Sequence, residues 1–263
     1  HKYEYCDLLI TGSGPSGLAS AYAAAQNGAK VILAEDKSRF GGSLLTSEVT
    51  IGNQSGQEWA EKIISELKSM PNVVVKNRSQ VFGYYDHNML VMSERISDHL
   101  PKTEKYIPKQ RLWYIRAKEV IISSGSIERP LVFGNNDTPG VMLSSAAKEY
   151  LKIYGVLVGK KPLVFTNNDS GYETAIEFKK NGIDPIVLDT RKDPNSEIIK
   201  EAKDLNINIK FSYVVVTANG YKKVKSADIA KISDDKKNLS NIENIACDCI
   251  CVSGFWTPTI HLA

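Results

Sequence analysis

The chain has 263 residues, 42% hydrophobic and 24% charged, and at roughly 100–200 residues per domain it can bury two cores. Lys+Arg 33 against Asp+Glu 30 leaves a formal charge of +3, too small and too dispersed to single out nucleic acid or a membrane surface as partner. No run of about 18 apolar residues occurs and the N-terminus lacks the basic-then-apolar layout of a secretion signal, so a cytoplasmic protein is expected.

The first element is the apolar strand Leu8-Leu9-Ile10, which runs into Gly12-Ser13-Gly14-Pro15-Ser16-Gly17. This Gly-x-Gly-x-x-Gly is weak evidence alone. Here it lies between that strand and Val31-Ile32-Leu33, with Glu35 placed 18 residues past the last glycine (35 − 17), and together these predict a dinucleotide-binding unit. Gly12 permits the tight turn, Gly14 lets backbone approach a pyrophosphate, and Gly17 lets the helix pack on the strand. Pro15 suits the first helical turn. The free N–H groups of that turn, which includes Ser16 and Gly17, face the anion. Glu35 is placed to accept hydrogen bonds from the adenosine ribose, and its charge argues against a 2′-phosphate, favouring NAD over NADP. The competing reading is a glycine-rich turn with no ligand.

Next in the chain, the spacing of Trp59, Ile63, Ile64 and Leu67 predicts a helix over Gln57–Lys68, ended by Pro71. Strands are expected at Val73–Lys76, Gln80–Tyr84, Met89–Ser93 and Arg111–Ala117, a meander, with a polar surface loop across Glu94–Gln110. Val120–Ser126 reads as a separate buried strand beside the first one, its Ser124-Gly125 end near the nucleotide. Residues 134–160 read as a link, with a helix from Ser145 to Tyr154 stopped by Gly155.

A second strand-helix-strand unit follows: Leu163-Val164-Phe165, a helix over Glu173–Lys180, then Ile186-Val187-Leu188-Asp189. Laid on the first unit by motif spacing, it has Asn167, Asp169 and Tyr172 where Gly12, Gly14 and Gly17 stand. Tyr172 is expected to hold the helix off the strand, Asp169 to repel a pyrophosphate, and Asp189 to be an ordinary strand-end acid. The unit keeps the fold and loses the phosphate loop. A helix at Ser196–Asp204, strands around Ile207–Phe211 and Val214–Thr217, a Lys-rich hairpin (Lys222, Lys223, Lys225) and a Cys-bearing strand complete it. Cys247, Cys249 and Cys251 alternate, so a strand would put all three on one face, as buried small hydrophobes rather than a metal site. No cysteine pair has Cys-x-x-Cys spacing, and no disulfide framework or metal is expected. His87, His99 and His261 form no constellation with a nucleophile, and no catalytic residue is nominated. A chain that opens without Met close to a core strand and stops at His261-Leu262-Ala263 is expected to be a domain of something longer.

Several longer runs carry a resemblance. They include Glu35-Asp36-Lys37, Phe40-Gly41-Gly42-Ser43-Leu44, Asp98-His99-Leu100, Gln110-Arg111-Leu112-Trp113, Ser126-Ile127-Glu128-Arg129-Pro130, Asn135-Asn136-Asp137 and Val164-Phe165-Thr166-Asn167-Asn168-Asp169-Ser170. On these the chain resembles the alpha subunits of bacterial heterotetrameric sarcosine oxidases, and more distantly those of amino-acid dehydrogenases. The resemblance implies an α/β fold of two Rossmann-like three-layer domains of the glutathione-reductase-like FAD/NAD(P)-binding type. It divides the chain into residues 1–133, residues 134–255, and a return segment from 256 to 263. It implies NAD held where flavoprotein relatives hold FAD, with flavins and tetrahydrofolate elsewhere in a complex containing a beta subunit and smaller subunits. That complex would oxidatively demethylate sarcosine to glycine, pass the one-carbon unit to tetrahydrofolate and form hydrogen peroxide. It also implies that Asp36 and Lys37 flank the adenosine, that Gly42 and Ser43 give a second approach to the phosphates, and that Val81 offers backbone to the adenine edge. Ser43-Leu44-Leu45 stands where disulfide reductases carry cysteines, which argues against disulfide chemistry. The alternatives are an FAD-dependent pyridine-nucleotide reductase, which the lost second glycine loop disfavours, and an assembly scaffold with an empty site.

Overall fold

The computed structural model describes residues 1–235 and 237–263, which form two compact units, His1–Ser126 with Pro258–Ala263, and Ile127–Thr257. The first unit contains β1 (Lys2–Thr11), α1 (Pro15–Gln26), β2 (Val31–Ala34), a 3-10 turn (Gly42–Leu45), β3 (Thr50–Ile51), β4 (Gln54–Ser55), α2 (Gly56–Ser69), β5 (Val73–Lys76), β6 (Ser79–Tyr85), β7 (Met89–Arg95) and β8 (Gln110–Ile122). Its sheet has the order β5-β2-β1-β8-β7-β6. The first four strands are parallel and the last three antiparallel, so the expected meander continues the central sheet. Alternation along β1 feeds two cores, as the period of two in a strand requires. Ile10 packs with Leu18, Ala21 and Leu33 and with Ile63, Ile64 and Leu67 of α2, while Leu9 packs with Ile32, Leu90, Met92 and Ile115. β2 is buried throughout, the usual state of a parallel strand covered on both faces.

The two strands expected at Arg111–Ala117 and Val120–Ser126 are one. Lys118-Glu119 interrupts the apolar pattern, but β8 runs through it because Val120 and Ile121 stay in register with Leu9 and Ile10, and Lys118 pairs with Asp7 at 2.8 Å.

The chain passes to the second unit through β9 (Ser126–Glu128). There it forms β10 (Val141–Leu143), α3 (Ser144–Tyr154), β11 (Pro162–Thr166), α4 (Ser170–Lys180), β12 (Ile186–Asp189), α5 (Glu197–Asp204), β13 (Asn208–Phe211), β14 (Tyr213–Asn219), β15 (Ser226–Lys231), β16 (Glu243–Ala246), β17 (Cys249–Ser253) and β18 (Trp256–Pro258). A five-stranded sheet, β10-β17-β11-β12-β13, is parallel, and β14-β15-β16 form a separate antiparallel sheet. Gly155 ends α3 in the left-handed conformation at φ 64°.

Three expectations need correction here. The division falls after Ser126 rather than after Phe133, because Phe133 packs edge-on to Phe165 at 5.9 Å in the second unit's core. The three cysteines do not share a face: Cys249 and Cys251 pack with Tyr172 and Phe178, and Cys247 lies in the core with Phe165. Asp248 causes this, since its carboxylate accepts the N–H groups of Lys160 and Lys161 at 2.8 Å and breaks the strand between β16 and β17. Burial pushes the Cys247 thiol up to about 12, so it stays a protonated small hydrophobe.

Tyr172, against expectation, does not hold α4 away from β11. Gly171 makes the close approach, with an added Cβ falling 2.7 Å from the Thr166 side chain. Gly171 stands for Gly17 (171 − 17 = 154) just as Asp189 stands for Glu35 (189 − 35 = 154), an offset one residue less than motif spacing gives. In that register Asn168 replaces Gly14.

Candidate functional site

The site is built at the end of the first unit's sheet where β1, β2 and β8 all terminate. Gly12 has φ +95°, and a Cβ on it would lie 2.3 Å from the Ser123 carbonyl oxygen. A Cβ on Gly17 would lie 1.9 Å from the carbonyl oxygen of Gly12, which lets α1 sit directly on the turn. Gly42, at φ +54°, brings the 3-10 turn against the loop, its Cβ position 2.8 Å from the Gly14 Cα. Gly14 differs from all three, because a Cβ there would meet nothing within 4 Å. Its glycine is required by nothing in the protein, and the open space beside it suits a group that comes up against the backbone.

Helix α1 starts at that opening without a side-chain cap and without an acidic residue in its first turn. Helices α2 and α3 have side-chain partners at this end. Ser55 and Glu58 form a full capping box on α2, and the Glu128 carboxylate accepts the Ser145 N–H of α3 at 2.7 Å. The first turn of α1 thus presents backbone donors and the positive end of the helix dipole to the open side of Gly14. Thr11, at the end of β1, adds a buried hydroxyl oxygen with no hydrogen-bond partner among the described residues.

Glu35 is buried at 6% exposure. The N–H of Ser13 donates to its Oε2 at 2.9 Å and the Ser13 hydroxyl donates to the same oxygen. The N–H of Lys37 donates to Oε1 at 2.9 Å. Burial and the neighbouring Asp36 push the carboxyl up from its ordinary range, while the Ser13 and Lys37 bonds oppose the shift. Asp36, Lys37, Ser16 and Ser43 are exposed around this carboxylate and the loop. Gly125, at φ +68°, follows β8 and accepts the Thr259 N–H at 2.9 Å, and the Ser124 hydroxyl donates to the Thr259 carbonyl at 2.7 Å. The sequence-predicted residues Gly12, Gly14, Gly17, Glu35 and Gly42 are therefore brought together. The Val81 side chain packs into the core with Leu90 and Met92, and its backbone lies on β6, whose first residue Ser79 donates its N–H to the Glu35 carbonyl at 2.8 Å. Sequence reasoning missed Ser13, which is fully buried and holds Glu35.

The equivalent place in the second unit is filled by its own side chains. Asn168, standing for Gly14, accepts the Ser170 N–H at 2.9 Å through Oδ1 and donates to the Ser253 carbonyl at 3.1 Å. Asp189, predicted as an ordinary strand-end acid, is fully buried and accepts from the Tyr172 hydroxyl and from Arg191 Nη2, each at 2.8 Å. The Arg191 guanidinium also pairs with Asp169 at 2.8 Å. Burial and the Asp189 charge push the Tyr172 phenol well up.

The sequence model for pyridine nucleotide-disulphide oxidoreductases matches residues 6–262. The sarcosine oxidase alpha subunit of Rhizobium meliloti (strain 1021) is 37% identical over 263 residues, which are 100% of this chain and 25% of that protein. That of Corynebacterium sp. (strain U-96) is 32% identical over 264 residues, 100% of this chain and 27% of that protein. The chain thus spans about a quarter of the length of these relatives. Thioredoxin reductase of T. acidophilum shares the fold at a TM-score of 0.72 and 16% identity, covering 98% of this chain and 80% of that one. Among the described residues, no helix is long and apolar enough to cross a membrane.

Proposed function

The chain belongs to the pyridine nucleotide-disulphide oxidoreductase family, and from that premise we propose that its first unit binds NAD. Gly14 carries the reading: a phosphate-loop glycine with nothing within 4 Å of its Cβ position, beside an uncapped helix N-terminus. In this reading the backbone of Gly14, Ser16 and Gly17 holds the pyrophosphate, with Gly42, Ser43 and Gly125 around it. The Glu35 carboxylate receives the adenosine ribose, and Asp36 and Lys37 flank it. The Val81 backbone lies toward the adenine. A buried carboxylate at this place repels a 2′-phosphate, which favours NAD over NADP. When bound, NAD would supply a hydride-accepting nicotinamide. This chain's residues bind and orient the dinucleotide, and none of them is assigned a role in chemistry.

The test is calorimetry with NAD, NADP and FAD. NAD is expected to bind more tightly than NADP, and Glu35→Ala to weaken NAD by about 1–3 kcal/mol, the scale of charge-assisted hydrogen bonds. Equal affinity for NAD and NADP, or a purified protein that is yellow with bound flavin, would overturn the NAD assignment.

The likeness to sarcosine oxidase alpha subunits supports a wider proposal. The chain is the nucleotide-binding region of an alpha subunit that works in the cytoplasm with a beta subunit and smaller subunits. The complex demethylates sarcosine to glycine, transfers the one-carbon unit to tetrahydrofolate and forms hydrogen peroxide, its flavin chemistry lying outside this chain. Accordingly the chain alone is expected to form no peroxide from sarcosine. Peroxide above a sarcosine-free blank would show that the chemistry sits here.

A further inference from the structure

Ser13 stands between the first two glycines of the loop and is fully buried, yet nothing about phosphate binding requires a hydroxyl at that position. Its bonds explain the choice. The Gly41 N–H donates to the Ser13 carbonyl at 3.1 Å and to its Oγ at 3.2 Å. With Oγ accepting from Gly41, its own proton is directed to Glu35, and the Ser13 N–H goes to the same carboxylate oxygen, Oε2. Oε2 therefore has both its donors from the loop. Oε1 accepts the Lys37 N–H and keeps acceptor capacity, and the Asp36 side chain also hydrogen-bonds the Glu35 carboxyl.

We infer that Ser13 is a positioning residue for nucleotide recognition: it commits Glu35 Oε2 to the glycine loop, so that Oε1 alone is turned toward the ribose. The Gly12–Gly17 loop is tied to the Gly41-Gly42 turn by the Ser13 carbonyl as well as by its hydroxyl, so loss of the hydroxyl leaves the spacing of the two phosphate-facing turns in place and frees only the carboxylate. The inference rests on the nucleotide reading above. The charged residues on the segments around Glu35 are Asp36 and Lys37, Arg78, whose N–H bonds the Lys37 carbonyl, and Lys76 at the end of β5, whose carbonyl accepts the Glu35 N–H. Of these Asp36 disfavours the Glu35 anion, whereas Ser13 favours it.

The experiment is a double-mutant cycle on the protein, using Ser13→Ala, Glu35→Gln and the pair, with NAD and NADP affinities measured by calorimetry from acid to neutral pH. Ser13→Ala is expected to weaken NAD by about three- to tenfold, the scale of one hydrogen bond, and to leave NADP nearly unchanged. It is also expected to move the acid-side loss of NAD affinity to higher pH, because a donor to the Glu35 anion is gone. In the Glu35→Gln background the same substitution is expected to leave the NAD-to-NADP ratio and the pH profile alone. Equal loss for both nucleotides, or an unchanged effect in the Glu35→Gln background, would mean a merely structural residue and overturn the inference. Should Ser13→Ala not fold, Ser13→Thr, which keeps the hydroxyl, is expected to retain the wild-type ratio and profile, and loss of either overturns it. A wild-type protein with no preference for NAD removes the nucleotide reading itself and this inference with it.

Discussion

Gly17→Ala is expected to abolish nucleotide binding by the first unit and to destabilise it by about 1–3 kcal/mol, the usual cost of forcing extra volume into a packed place. The added Cβ would sit 1.9 Å from the carbonyl oxygen of Gly12. That obstacle is backbone, so α1 must lift from β1 or the Gly12 turn must rotate. Rotation is resisted because Gly12 is itself at φ +95° with its Cβ position against Ser123, and lifting α1 separates Leu18 and Ala21 from Ile10. Either adjustment moves the first-turn N–H groups away from the open side of Gly14. Gly14→Ala is the informative partner. Its Cβ would enter open space, so its stability cost is only the preference of an N-cap for glycine over alanine, while nucleotide affinity should fall. Chemical denaturation beside calorimetry separates the two. If Gly14→Ala binds NAD as the wild type does, the open space is not a nucleotide site.

The parts legible in the sequence are those whose cause is local. The spacing of Gly12, Gly14 and Gly17, the apolar run before them and the helical period of Ile63, Ile64 and Leu67 each follow from neighbours a few residues away, and each corresponds to an element of the structure. What was not legible depends on distant partners. The continuity of β8 through Lys118-Glu119 is set by its register with β1. The separation of Cys247 from Cys249 and Cys251 is set by bonds from Asp248 to Lys160 and Lys161. Ser13 had no signal, since a small polar residue between glycines looks like any other loop position until Glu35 and Gly41 are placed around it. Motif spacing also misaligned the second unit by one residue, because the glycine that makes the close helix-to-strand contact is Gly171 against Thr166 and not Tyr172. The position of Asp189 relative to Glu35 already held the correct offset.

That offset leads to the second unit, where Asp189→Ala is expected to cost about 3 kcal/mol, the lower end of the range for removing one partner of a buried ion pair, since Arg191 is partly solvated. Asp189 has no exposed surface. Without it the buried Tyr172 hydroxyl loses its acceptor, and Arg191 keeps only Asp169. Tyr172→Phe, which removes the hydroxyl but leaves Asp189 its Arg191 partner, should cost less, about 1 kcal/mol. The network has a further consequence for ligands. Where the first unit leaves Gly14 open and α1 uncapped, the second unit puts the Asn168 side chain, whose Oδ1 already accepts the Ser170 N–H that a phosphate would take. Where the first unit offers a carboxylate, the second has one held by Tyr172 and Arg191. A dinucleotide there would have to displace Asn168 and Arg191 and bring its own charge beside Asp169. Titration of the wild-type protein is therefore expected to saturate at one dinucleotide per chain, and Gly17→Ala to reduce that to none. A second equivalent of NADH or NADPH that survives Gly17→Ala would place a working site in the second unit and refute the assignment of its loop as closed.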